Sequence, residues 1–170
     1  MPRVDLNQLP DSSRLFVYNT ARPLQSSELE LLRSGLEAFL DQWAAHGSPL
    51  IVGYEMPYDR FLVIAVDDSR VGPSGCSIDA SYQFLKAWTE RTGVDILDAP
   101  DVCFLEDGGV RCVTRAAFKS LVESGEVGAT TTVFDNTVGT LGAYRAGRWQ
   151  LPAADTWHAR AYKLRETHDA

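Results

Sequence analysis

The run "FLVIAV", Phe61 to Val66, is apolar at every position, so neither face of it has polar side chains to offer water. A half-exposed strand alternates apolar and polar residues. This run does not, and it predicts a central strand covered on both faces, or at least one in the middle of its sheet. It is preceded by a second strand, "LIVGYEM" (Leu50 to Met56), and by Pro57-Tyr58-Asp59, where Pro57 suits the second position of a type I turn. Further upstream "RLFVY", Arg14 to Tyr18, is short, aromatic and β-branched, as a strand requires. Between these strands Ser27 and Glu30 have capping-box spacing. Leu29, Leu32, Leu36, Phe39, Leu40 and Trp43 then recur at the helical period, and Gly47 is placed to end the helix. Gly35 weakens that helix by ~1 kcal/mol, which the apolar stripe outweighs.

After the central strand the pattern predicts a helix from about Asp79 to Thr92, burying Ile78, Tyr82, Leu85 and Trp88 and stopping at Gly93. A strand begins near Val102, Asp107-Gly108-Gly109 turns it into another at Val110 to Val113, and Thr114 caps a helix that turns Phe118, Leu121 and Val122 inward and ends at Gly125. The order strand, helix, strand, strand, helix, strand predicts an α+β fold, a ferredoxin-like split βαβ sandwich with an added hairpin and helix. Residues 1–170 are expected to form one domain, with 125–170 as a docked C-terminal extension holding the strand "TTTVF" and the anchors Trp149, Trp157 and Tyr162. Right-handed crossovers put both long helices on one sheet face. The opposite face then needs either the tail or a second subunit, and the second of these would make the protein a homodimer.

Composition limits the partners. The chain has 170 residues, 45% hydrophobic and 23% charged, enough for one sizeable core. Its formal charge of −7 opposes nucleic acid and anionic membrane surfaces, both of which repel an acidic protein. No apolar run approaches the roughly 20 residues of a membrane span, and the N-terminal segment lacks a signal-peptide core, so a cytoplasmic location is expected. Three cysteines, an odd number, fit a reducing compartment.

The chemistry-bearing stretch is "GPSGCSIDASYQFLKAW", Gly72 to Trp88, where a loop turns into a helix. With Ser77 or Asp79 as N-cap, unpaired amides and the positive end of the helix dipole would face Ser74, Gly75, Ser77 and Asp79, a placement suited to a small anionic ligand or a partner's carboxylate. Cys76 in the same loop reads either as a nucleophile, with His46 as its base across the hairpin, or as a small buried plug. Asp67, Asp68 and Asp79 oppose a thiolate there. His46 also suits a helix C-terminus, while His158 beside Trp157 reads as docking and His168 as terminal. A two-residue turn at Asp107-Gly108, or a four-residue loop from Glu106 to Gly109, would set Cys103 opposite Cys112, whereas a three-residue loop would break that register. They are then a disulfide, half of a metal site, or two small residues on a buried face, the last being the favoured reading. Adjacent strand residues point to opposite faces, so Asp67 and Asp68 do not converge on a cation. No phosphate-cradling loop, nucleophile elbow, zinc-binding HExxH or calcium loop occurs, and no cofactor is expected.

Four segments, "FLDQWAAHGSPL", "RFLVIAVDDS", "SGCSID" and "WQLPAADTWH", together resemble a small family of uncharacterised bacterial proteins of about this length that often carry the name "ABC transporter ATPase". The likeness spans nearly the whole chain and is most specific over Ser74 to Asp79; His46-Gly47 and Trp157-His158 fit it as well. It gives His46, Cys76, Ser77 and Asp79 prominence without roles, and it leaves out Cys103 and Cys112. The ATPase activity in that name is not implied for this chain, which has no P-loop to hold nucleotide phosphates and no signature helix.

Overall fold

The computed structural model describes residues 3–164. The apolar run forms β5 (Phe61–Asp67), which lies between β1 (Arg14–Asn19) and β4 (Ile51–Glu55), antiparallel to both. Phe61 to Val66 are each at most 2% exposed. The pleat sends Leu62, Ile64 and Val66 to one face and Phe61, Val63 and Ala65 to the other. The first face is covered by α1 (Ser26–Gln42), through Leu32, Leu36 and Leu40, and by α2 (Gly75–Thr92), through Leu85 and Trp88. Phe39 and Phe84 stack between these helices at 5.1 Å. Each large apolar side chain in such a layer contributes about 1.5–3 kcal/mol, so the double-sided burial of β5 organises the whole fold.

The second face packs against another sheet. Its strands are β6 (Val102–Glu106), β7 (Gly109–Val113), β8 (Thr132–Phe134) and β9 (Gln150–Pro152), in the order β7-β6-β8-β9. Cys103, Phe134 and Trp149 fill the space between the sheets, together with Leu141 of α4 (Leu141–Arg145). On its outer side Val102, Phe104 and Val133 meet Phe118 of α3 (Arg115–Ser124) and the region of α5 (Trp157–Ala161). The layers thus run helices, sheet, sheet, helices. Among the described residues no helix is long and apolar enough to cross a membrane.

The α+β class holds. Of the split βαβ arrangement only the first three strands have the anticipated order, β1-β5-β4. β6 does not lie beside β1, whose free edge is bridged instead by Gly139 to Leu141: Leu15 donates to Gly139 at 3.0 Å and Leu141 to Ser13 at 2.9 Å. The reason lies in β6 itself. Val102, Cys103 and Phe104 are buried on alternating sides, so β6 needs cover on both faces and founds a second sheet. Segment 125–164 adds β8 and β9 in succession to the free edge of β6. The sheet face expected to need a second subunit is covered by the chain's own residues, which removes that argument for a homodimer.

Three local expectations are corrected. First, α1 ends at Gln42, and the chain turns into a small hairpin of β2 (Ala44–Ala45) and β3 (Ser48–Pro49), with His46 and Gly47 both left-handed at its tip. His46 is therefore an exposed turn residue, not a helix cap. Second, α2 starts at Gly75, because Ser74 accepts the Ser77 amide at 3.1 Å. Its buried face is Ser77, Ser81, Leu85 and Trp88, while Tyr82 is 45% exposed. The two serines tolerate burial because each hydroxyl bonds a carbonyl one turn back, Ser77 to Ser74 and Ser81 to Ile78. Third, Pro57 to Asp59 is no type I turn: Tyr58 and Asp59 are both left-handed, with φ of 57° and 56°.

Candidate functional site

The left-handed Tyr58-Asp59 pair sits where the seam between the two sheets reaches the surface. A non-glycine residue in this region costs on the order of 1 kcal/mol, so two in succession mark a place that the surrounding packing holds against local preference. The result is that the Tyr58 ring projects, 46% exposed, over a cleft of about 470 Å³. The cleft is walled by Glu55 and Met56 at the end of β4, by Tyr58, by Tyr144 of α4, and by Trp149 and Gln150 at the start of β9.

Its walls are fixed from behind. Trp149 lies 4.9 Å from Phe61, 4.8 Å from Phe134 and 5.4 Å from Tyr144, ring to ring. Its indole N–H donates to Asn136 at 2.9 Å, Asn136 donates to Asn19 at 3.3 Å, and Asn19 donates to the Pro100 carbonyl at 2.9 Å. These amides tie the Trp149 wall to both sheets. The Tyr58 hydroxyl donates to Gln150 Oε1 at 3.2 Å and the Tyr144 hydroxyl to Glu55 Oε1, so two bonds bridge the first sheet's turn and the tail. Burial, reinforced by the Glu55 carboxylate, pushes the Tyr144 phenol far above its ordinary range, so it remains a donor throughout the neutral range. α4 is seated by a close approach: a Cβ on Gly142 would meet Asp11 Cβ at 2.9 Å and its carbonyl oxygen at 3.1 Å.

Just before Phe61, Arg60 is 4% exposed and, among the described residues, forms no ion pair with a carboxylate. Its guanidinium donates to the carbonyls of Val110 at 2.6 Å, Ala21 at 2.7 Å and Thr20 at 3.2 Å, joining β7 to the loop after β1. Burial lowers its affinity for the proton, and the three carbonyl dipoles are what hold the charge inside.

The residues singled out in the sequence lie elsewhere. Ser74 and Ser77 spend their hydroxyls on capping α2, and the Ser77 carbonyl accepts the Trp43 indole N–H at 2.8 Å beneath the surface. Gly75, Cys76 and Asp79 are exposed on the first turn of α2. Cys76 is thus a free surface thiol, not a buried plug. His46 is also exposed, on the β2–β3 turn, and β2 packs beside α2. Asp67 accepts the Ser69 amide at 2.9 Å, and its hydrogen bonds with Ser69 hold it below the usual carboxylate range. Among the described residues no group of three His, Cys, Asp or Glu side chains is arranged to hold a metal ion.

Cys103 and Cys112 face each other in the β6–β7 register and are joined as a disulfide, which corrects the favoured reading of two unlinked small residues. His158 is fully buried against Trp157, as docking required, and His168 lies outside the described residues. Glu55, Tyr144 and Gln150 were not singled out from the sequence; only Tyr58, in its turn, and Trp149, as an anchor, stood out there.

Comparison with protein-family models, curated proteins and solved structures finds no match to this chain.

Proposed function

We propose that this protein is a binding module for a small molecule, and that its site is the aromatic cleft between Glu55–Tyr58 and Tyr144–Gln150. One observation carries this reading: two consecutive left-handed, non-glycine residues hold an exposed aromatic ring over a cleft whose opposite wall is rigidly supported. An aromatic ring left 46% exposed beside a buried tryptophan offers a ligand apolar area whose ordering cost has already been met in the free protein. A single ionisable carboxylate and one amide then orient what binds.

The alternative is a site on the first turn of α2, either a thiol reaction of Cys76 assisted by His46 or an anion held by the amides of Gly75 and Cys76. The exposure of both side chains and the packing of β2 beside α2 favour it. Against it, Ser74 and Ser77 have no hydroxyl donor left for a ligand, and the Asp79 carboxylate repels an anion.

Amide and indole chemical shifts of the labelled protein, titrated in turn with choline, methyl glucoside and inorganic phosphate, separate the two sites. Shifts at Tyr58, Gln150 and the Trp149 indole by any probe support the aromatic cleft. Shifts confined to Gly72 to Asp79, or none, refute it.

A further inference from the structure

The lining of the cleft is chemically lopsided, and the ligand class follows from that asymmetry. This inference rests on the reading of the cleft as a binding site. Among the described residues Glu55 is its one carboxylic acid, and no lysine or arginine side chain lines it. Both phenol hydrogens are already directed at protein acceptors, Tyr144 toward Glu55 and Tyr58 toward Gln150 Oε1. What remains for a ligand is a carboxylate, phenol lone pairs, the exposed aromatic surface of Tyr58 and Tyr144, and one neutral donor, the Gln150 side-chain amide. All but that amide present negative potential, since an aromatic face carries the negative lobe of its quadrupole. An anion finds no charged donor here and only the neutral Gln150 amide, and a sugar, which must both give and accept many hydrogen bonds, finds acceptors with few donors.

We infer that the ligand of this cleft is an organic cation, an alkylated ammonium group whose methyl or methylene carbons pack on Tyr58 and Tyr144, with Trp149 supporting them from behind, while its charge is balanced by Glu55. Alkylation matters because a bare ammonium is strongly hydrated, whereas an alkylated one gives up little water on entering an aromatic enclosure. The cleft, about 470 Å³, has room for such a head group and a short polar tail. The net charge of −7 acts in the same direction, raising the local concentration of cations around the protein.

The test compares choline with 3,3-dimethylbutan-1-ol, a neutral molecule of nearly the same shape, and with methyl glucoside, by chemical-shift titration of the intact protein. Choline is expected to move the Trp149 indole and the Tyr58 and Gln150 amides and to bind at least about tenfold more tightly than its neutral isostere. Glu55→Gln, which keeps an acceptor for the Tyr144 hydroxyl, is expected to weaken choline about tenfold while leaving the isostere unchanged. Equal affinity of choline and the isostere, or binding of the glucoside alone, overturns the cationic ligand and leaves the cleft standing as a site. Silence of all three at the cleft overturns both.

Discussion

Lowering the pH from 7 to 5 should cost this protein about 2 kcal/mol through one residue, His158. The side chain is 0% exposed and is packed against Trp157 at 3.8 Å, Phe118 at 5.9 Å and Tyr162 at 6.3 Å, ring to ring. Nδ1 meets the Thr156 hydroxyl at 2.7 Å, and Nε2 has no hydrogen-bond partner among the described residues. A charged imidazolium there would leave one N–H unpaired in an apolar setting, and burial accordingly brings its pKa down from 6.5 to about 4, against a weaker opposing pull from Asp135. Because the folded pKa is the lower one, the unfolded chain takes up a proton first as the pH falls. The contribution to stability is complete above about pH 6.5, declines as the pH drops, and levels off below about pH 4. The linkage integral gives a loss of about 2 kcal/mol at pH 5 and about 3 kcal/mol at the acid limit.

Urea unfolding of the wild type and of His158→Leu at pH 7 and pH 5 isolates this term. Every other carboxylate and histidine titrates alike in both proteins and cancels in the double difference. Leucine fills much of the same space and does not titrate, and the Thr156 hydroxyl keeps its bond to the Ala153 carbonyl. The variant should therefore lose about 2 kcal/mol less than the wild type between the two pH values, or about 4–8 °C in midpoint for a chain of this size. A double difference within about 0.5 kcal/mol of zero would refute the reasoning, because it would mean that His158 reaches water or a proton acceptor in the folded state.

Arg60→Met should destabilise the protein by about 2–4 kcal/mol in urea unfolding, since it leaves the carbonyls of Val110, Ala21 and Thr20 buried without their donor; a loss below about 1 kcal/mol would show that water replaces the guanidinium. Alkylation of the denatured chain followed by mass measurement should modify one cysteine before reduction, Cys76, and three after it. The paired variant Cys103→Ser, Cys112→Ser should lose about 2–3 kcal/mol, the value for closing a short loop in the unfolded chain. Gly142→Ala should cost about 1–3 kcal/mol, because its methyl meets Asp11, and by displacing α4 it should weaken any ligand of the cleft that contacts Tyr144; unchanged affinity would uncouple α4 from the site.

What could be read from the sequence was local, and what could not be read was a choice among distant partners. The double-sided burial of β5, the helix ends at Gly93 and Gly125, both left-handed, and the opposition of Cys103 and Cys112 across Asp107-Gly108 all follow from residues within one element or one turn. The start of α2 was decided elsewhere. Ser74 and Asp79 are both competent caps, but starting at Ser74 buries Ser77 and brings its carbonyl to the Trp43 indole, 34 residues away in sequence. That one contact rolls the helix so that Tyr82 faces outward and Cys76 is exposed. β6 presents the same problem on a larger scale, since nothing within "VCFLE" says whether its cover comes from β1 or from a sheet of its own.

The candidate site shows why such choices matter for function. Its walls come from residues near 55 and near 145, and each group has an ordinary local reading as a turn or a docked terminus. They become a cleft only because β5, buried on both faces, requires a second sheet, and because two facing sheets leave a seam whose interior is aromatic. Where that seam ends the aromatic rings must either be capped or meet water. Here Phe61 and Phe134 are capped by Trp149, and Tyr58, turned outward by two left-handed residues, is left exposed at the mouth. A cap that served stability alone would close over Tyr58 or relax the turn with a glycine at position 58 or 59. The chain does neither, and the backbone cost retained at two successive residues there is the physical ground on which a binding site is proposed at this end of the molecule.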